Sequence, residues 1–187
     1  RKLVDFLNEN GASASTAKPT AATAPSEPAQ KEEKKERSTP AESFETDSTV
    51  AANAKVRVYG KAQNRTALGI AHAYMVMYPH ATIEDLRKAF PNSLNPDSGV
   101  KENFVFAEDK GTTADWNGYF KGEDELMTMG DGKKVAIVSM WTKPSFERMV
   151  AQARAYDIVV AKFEAADKGG KKGGFRLEYL NGYVPPV

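Results

Sequence analysis

Between residues 11 and 54 the chain has one aromatic side chain, Phe44, whereas from Lys55 onward it holds both tryptophans, all seven tyrosines and most of the phenylalanines and methionines. That break fixes where a core can form. Residues 11–54 are dominated by Ala, Ser, Thr, Pro and charge, and so little apolar surface cannot offset the entropy lost on ordering a chain. They read as a disordered linker, including the mixed-charge run Lys31-Glu-Glu-Lys-Lys-Glu-Arg37, which is a solvated stretch. Residues 55–187, about 130 in all, are enough for one globular domain.

Upstream of the linker, Leu3, Val4, Phe6 and Leu7 fall on one helical face and Asn10-Gly11 supplies a stop. Residues 1–10 therefore read as the end of an upstream helix or as a docking peptide. The first residue is Arg, and the sequence is expected either to be part of a longer protein, whose upstream domain is a partner of this one, or to have lost a leader.

Within residues 55–187 the hydrophobic period switches repeatedly. Val56-Arg-Val-Tyr59 alternates as a strand does, and Leu68, Ala71, Tyr74, Met75 and Tyr78 recur at steps of three and four, which predicts a helix over 64–78. Pro79-His-Ala interrupts it, and Thr82 with Asp85 three residues on predicts a capped second helix over 82–90, closed by Pro91 and Asn92. Residues 103–107 and 125–129 read as strands, and Gly130-Asp-Gly-Lys133 as a hairpin turn into Lys134–Trp141.

Pro144 opens a third helix with Phe146, Met149, Val150 and Ala153 on one face. A β-branched run over Ile158–Phe163 and an alternating strand at Phe175, Leu177 and Tyr179 complete the order β-α-α-β-β-β-α-β-β. The expectation is an α+β domain in which one mixed or antiparallel sheet packs against three helices.

Over Tyr119-Phe120, Asp124-Glu-Leu126, Asp131-Gly132, Val135-Ala-Ile-Val-Ser139, Trp141 and Phe146 with Ala153, the chain resembles bacterial α+β domains of unknown function. The shared pattern is an aromatic pair, an acidic-Leu strand, a DG hairpin, an apolar strand ending near Trp, and a helix; the Thr82–Phe90 helix with Pro91 belongs to it too. The resemblance covers about half of the globular part and implies a fold, with no activity or site attached.

Charge excludes little. Lys and Arg total 26 against 25 Asp and Glu, and residues 55–187 alone carry 19 basic and 16 acidic side chains, a balance too small to mark a nucleic-acid coat or an acidic tail. The absence of cysteine removes disulfides, thiolate zinc sites and cysteine nucleophiles, and two histidines are too few for a histidine-rich metal site. No apolar run reaches the roughly 18 residues a membrane helix needs, and no export signal is present, so the expectation is a cytoplasmic protein with no membrane partner.

One stretch invites catalysis. Pro96-Asp97, ten intervening residues, then Glu108-Asp-Lys110 has the spacing of Mg²⁺-dependent nucleases of the PD-(D/E)xK type, where two carboxylates hold the metal against a phosphate and a lysine positions the attacking water. On a strand Phe104, Phe106, Glu108 and Lys110 would share a face. The plainer alternative is a turn at Asp97-Ser-Gly99, a core strand at Phe104 and Phe106, and a solvated exit loop.

Binding candidates are the helix pair 64–78 and 82–90, which has helix-turn-helix proportions, with Arg65, Arg87, Lys88 and Lys101 as its cations. To these are added Trp141 as a stacking or partner residue, and Lys171 and Lys172 in the loop Gly169-Gly-Lys-Lys-Gly-Gly174, which lacks the Gly-Lys-Ser/Thr ending of a phosphate loop. His72 and His80 read as a partly buried helix residue and a turn residue. The preferred reading is a non-enzymatic binding module without a cofactor, joined by a long linker to an upstream domain, with a protein or nucleic acid as partner. The alternatives are the Mg²⁺-dependent nuclease and a structural module that self-associates through a strand edge.

Overall fold

Strand β1, Val56–Gly60, alternates buried and half-buried residues, so Val56, Val58 and Gly60 face inward while Arg57 and Tyr59 face out. The inward face meets helix α1, Gln63–Met77, at unusually short range. A methyl group on Gly69 would lie 2.6 Å from a Val58 methyl, and one on Gly60 would lie 2.7 Å from the Thr66 backbone nitrogen. Only glycine admits this approach. In this computed structural model, residues 52–111, 116–161 and 172–187 are described, without the side chains of Lys110 and Lys172. The expectations for residues 1–51, for Lys171, and for the Lys110 and Lys172 side chains lie outside the described residues.

α1 is buried around nearly its whole circumference: Ala67, Leu68, Ile70, Ala71, Ala73 and Met75 are all inside. A helix apolar on every side is a core element rather than a surface one. It lies against β1 and against α3, Lys143–Arg154. In α3, Phe146, Met149, Val150 and Ala153 form the buried face, as their spacing predicts, with Thr142 accepting the Ser145 N–H as N-cap. Between them α2, Ile83–Ala89, carries the predicted capping box of Thr82 and Asp85, which satisfies two backbone donors that the first turn leaves open.

Six strands appear among the described residues, in the predicted order, and the fold is α+β. They form two sheets rather than one. β1 is flanked by β5, Ile158–Val160, in parallel and by β6, Phe175–Tyr179, in antiparallel register. β4, Lys134–Ile137, pairs antiparallel with β2, Phe104–Phe106, on one side and β3, Met127–Thr128, on the other. β5 and β6 take both edges of β1, so β2 to β4 are not its neighbours. Alternation predicts strands but not their neighbours.

The hairpin from β3 to β4 turns as predicted, with Gly132 in the left-handed region at φ +82° and Met129 donating to the Lys133 carbonyl at 2.8 Å. No helix among the described residues is long and apolar enough to cross a membrane.

Gly60→Ala is expected to destabilise the domain by about 1–3 kcal/mol, the usual cost of forcing extra volume into a packed core. Urea unfolding measures it, and an unchanged midpoint would contradict the close α1–β1 contact.

Candidate functional site: a tyrosine-lined cleft

The structure ties the segments that carry Asp97 and Glu108, the two carboxylates grouped by nuclease spacing, to different places along the chain around β4. Asp97 is exposed in a turn next to Gly99, whose φ is +75°. That turn is tied to the far end of β4, where Asn95 donates its amide to the Met140 carbonyl at 2.8 Å. The Glu108 carboxylate lies at the opposite end, 3.4 Å from the Lys133 ammonium. Between the two contacts lie β4 and the bridge residue Val138, five extended residues that span roughly 17 Å. The strand expected to carry Glu108 and Lys110 ends at Phe106, and Ala107–Gly111 coils into a 3₁₀ turn, so the shared face with Phe104 does not form. No group of three or more His, Asp and Glu side chains is placed to hold a metal ion among the described residues.

The expected cations are dispersed as well. Arg87 donates to the Glu84 carboxylate and to the Phe104 carbonyl, pinning α2 to β2. Arg65 pairs with Glu125, donates to the Gly173 carbonyl at 3.0 Å and lies 4.5 Å over the Phe120 ring. Lys88 and Lys101 are exposed. With α1 in the core and Arg87 committed to β2, the helix pair is not a free helix-turn-helix. Trp141 is buried and its indole N–H is bonded to the Val138 carbonyl, so it offers no open ring face for stacking. It does border a groove of about 570 Å³ between Lys61–Asn64 and Ser139–Met140.

Glu125 is a junction between the two halves of the fold. Its carboxylate accepts from the backbone N–H groups of Lys121 and Gly122 as well as from Arg65, and its carbonyl meets His72 Nε2 at 3.2 Å. Burial pushes the Glu125 carboxyl up, but the Arg65 guanidinium and the two amides outweigh burial and hold it below the ordinary glutamate range. His72, packed 4.8 Å from the Phe175 ring, is pushed down by burial, with the Glu125 carbonyl opposing.

The open chemistry lies at the other end of α1. Tyr74 and Tyr78, one turn apart, have ring centroids at 4.7 Å, and Tyr156 meets both edge-on at 5.2 and 6.3 Å. Phe90 closes the cluster beneath them. Such pairs are worth about 0.5–1.5 kcal/mol each beyond burial. Beside the rings opens a cleft of about 460 Å³ whose floor is Tyr74, Met77 and Tyr78 and whose rim includes His80 and Asp85.

Its remaining wall is Pro186, more than a hundred residues along the chain. Asn181 and Gly182 both have positive φ, at 52° and 71°, and Tyr183 donates to the Leu180 carbonyl at 2.8 Å, a tight reversal that an Asn-Gly pair favours. The Asn181 amide donates to the carbonyls of Ala52 and Ala54. This clamp aims the following residues back at α1, and Tyr183 then packs edge-on to Tyr179 at 6.2 Å.

Of the chain's seven tyrosines, Tyr74 and Tyr78 line the cleft, Tyr156 packs on both, and Tyr179 and Tyr183 pack on each other beside the reversal. Of the five large apolar side chains exposed among the described residues, Tyr78 at 41% lines the cleft, Tyr179 at 46%, Val184 at 79% and Val187 belong to β6 and the segment that brings Pro186 to it, and Met140 is the fifth. Burial, reinforced by Tyr156, Asp85 and Tyr78, pushes the Tyr74 phenol up to about 12. Thr82 holds the Asp85 carboxyl below its usual range through backbone and hydroxyl bonds, and Lys55 and Asp157 pair at 2.9 Å nearby. The cleft thus presents ring faces, phenolic hydroxyls and one carboxylate. Sequence reasoning treated Tyr74 and Tyr78 as helix-face residues. The available signal was the tyrosine excess at 74, 78, 156, 179 and 183 together with an Asn-Gly turn before Pro185-Pro186.

Two titrations check this electrostatic description. Glu125 has a depressed folded-state pKa, so its stabilisation is present above the unfolded value of about 4.3 and is lost as pH falls through the folded one. Glu125→Gln should lower stability at neutral pH and flatten part of the acid loss between about pH 5 and 3 in urea unfolding curves; parallel curves for the two proteins would contradict the role given to Glu125. Tyr74 has a raised pKa, so its stabilisation is complete below about 10 and is lost as pH rises towards 12. Tyr74→Phe should remove the most alkaline phase of tyrosinate absorbance, and retention of that phase would refute the assignment. No protein-family model, curated protein or solved structure matches this chain, and the reading of the cleft rests on its own geometry.

Proposed function

We propose that the domain is a non-enzymatic binding module whose partner is a protein, engaged through the tyrosine-lined cleft and the Tyr179–Val187 border. The observation that carries this reading is the cleft lined by Tyr74, Met77 and Tyr78, with Tyr78 itself 41% exposed, and walled by Pro186 from a segment whose Val184 and Val187 are exposed as well. Exposed apolar surface of this kind marks interaction sites, and tyrosine is enriched among the residues that dominate binding energy.

A protein partner is favoured over a nucleic acid because two of the four cations expected on the helix pair, Arg65 and Arg87, are already paired with carboxylates. Phosphate binding depends on free cations. The expectation that residues 11–54 join this domain to an upstream one belongs to the same proposal; a linker of that length lets a small domain sample tens of ångströms around its anchor.

The test is photo-crosslinking in cells of the source organism, with a benzophenone side chain at position 78 or 179 and, as a control, at the exposed position Glu147 on α3. Protein adducts are expected from 78 and 179 and not from 147. Once a partner is in hand, Tyr78→Ala should weaken its affinity about tenfold, as loss of a central aromatic anchor does. Equal adducts at all three positions, or adducts to nucleic acid, would overturn the proposal.

A further inference from the structure

Strand β6 is an edge, and its register with β1 fixes which groups that edge presents. The Lys61 N–H donates to the Gly174 carbonyl and the Leu180 N–H to the Lys55 carbonyl, both at 2.9 Å. Gly174, Arg176, Glu178 and Leu180 therefore turn their main-chain groups toward β1. By alternation Phe175, Leu177 and Tyr179 turn theirs the other way. Among the described residues no strand lies on that side, since the order is β5-β1-β6, and none of the three has a backbone bond there. Such an edge is a template for a further strand.

The side chains select the strand. Phe175 and Leu177 stand on the face that α1 covers, with Phe175 4.8 Å from the His72 ring. Arg176 and Glu178 stand on the opposite face beside Arg57 and Tyr59. There Glu178 accepts from Arg57 and from the Tyr59 hydroxyl, and the Arg176 guanidinium lies 3.7 Å over the Tyr59 ring. One face of β6 thus carries a cation and an anion two residues apart. Laid antiparallel on itself about a two-fold axis at Leu177, the strand sets Arg176 opposite Glu178 of the second copy twice, and Phe175 opposite Tyr179. The Arg–Glu positions are the non-hydrogen-bonded pairs, where side chains come closest.

The neighbouring registers are unfavourable. Because only Phe175, Leu177 and Tyr179 face outward, the strands can slide only in steps of two residues. One step sets Arg176 against Arg176 and the other sets Glu178 against Glu178, and like charges directly opposite destabilise a pair.

We propose that two copies of this domain pair antiparallel through β6 about an axis at Leu177, forming one continuous sheet in the order β5-β1-β6-β6-β1-β5. The contact is isologous, the commonest symmetry of self-association. It uses the β6 main chain rather than the cleft, and so goes beyond the protein-binding reading without resting on it. Two five-residue strands make a small contact, in the class under about 1,200 Å² that is transient, and the dimer forms with rising concentration.

The experiment is sedimentation velocity of the full chain from about 10 μM to about 1 mM, the range in which weak contacts become populated. It is run on the parent, on Arg176→Glu, on Glu178→Arg, and on an equimolar mixture of the two variants. The parent should dimerise across this range. Each variant alone sets like charges across the axis and should associate about tenfold more weakly, whereas the mixture restores opposite charge at every cross-axis pair and should regain the parental association. In the parent, hydrogen exchange of the Phe175, Leu177 and Tyr179 amides should slow at high concentration, while the Arg176 and Glu178 amides, bonded to β1, should not change.

A parent that stays monomeric to about 1 mM, a variant that associates as well as the parent, or a mixture no better than its components overturns the pairing. So does concentration-independent exchange at Phe175, Leu177 and Tyr179, a readout that needs no variant. Position 78 lies on the far side of this distinction, outside β6, so its crosslinks to a different protein judge the cleft separately.

Discussion

The close approach of α1 to β1 governs the rest of this structure. Gly60 and Gly69 let the helix axis come within reach of the strand backbone, and α1 becomes a central helix wrapped by β1, α3 and the inner faces of both sheets. A helix held this tightly acts as a rigid rod about 22 Å long at 1.5 Å per residue. Its two ends are therefore placed together by one packing event. The first carries Arg65, which ties the Glu125 junction and the Gly173 carbonyl to the core. The second carries Tyr74 and Tyr78, which open onto the cleft.

Those two ends differ in what they leave for a partner. At the Arg65 end the polar groups satisfy one another: the guanidinium has a carboxylate, a carbonyl and a ring, and the carboxylate has two backbone amides besides. Buried or half-buried charges are stable when matched in this way. At the Tyr78 end the apolar surface exceeds what the fold can cover. The segment after β6 brings Pro186 to it, but Tyr78 is still well exposed. Rings cost little entropy to immobilise and bury large areas, so this end is where binding free energy is available.

How much of this was legible in the residues depends on range. Local signals held: the Thr82/Asp85 box, the Asp131-Gly132 turn, the Phe146–Ala153 face and the order of nine elements all follow from neighbours within a few residues. Pairing was not legible, because period-two alternation in Val56–Gly60 says nothing about whether β5 or β2 will lie beside it. For the same reason alternation does not tell that Asn95, beside the Asp97 turn, bonds Met140 beyond β4 while Glu108 pairs with Lys133 before it. Arg65 and Arg87 looked like surface cations because the carboxylate and carbonyl that engage them, at Glu125 and Phe104, are 60 and 17 residues away. The cleft was hidden by distance too, since its wall at Pro186 and its floor at Tyr74 meet only after β6 pairs with β1.

The central claim is that the tyrosine end of α1 opens onto a cleft that the segment after β6 walls with Pro186. Proton NMR of the full chain tests it directly through the Pro186 ring. A cleft shared with Tyr74 and Tyr78 predicts Pro186 signals moved off random-coil positions, with nuclear Overhauser effects to those two rings. Pro186 signals at random-coil positions, with no such effects, would contradict it.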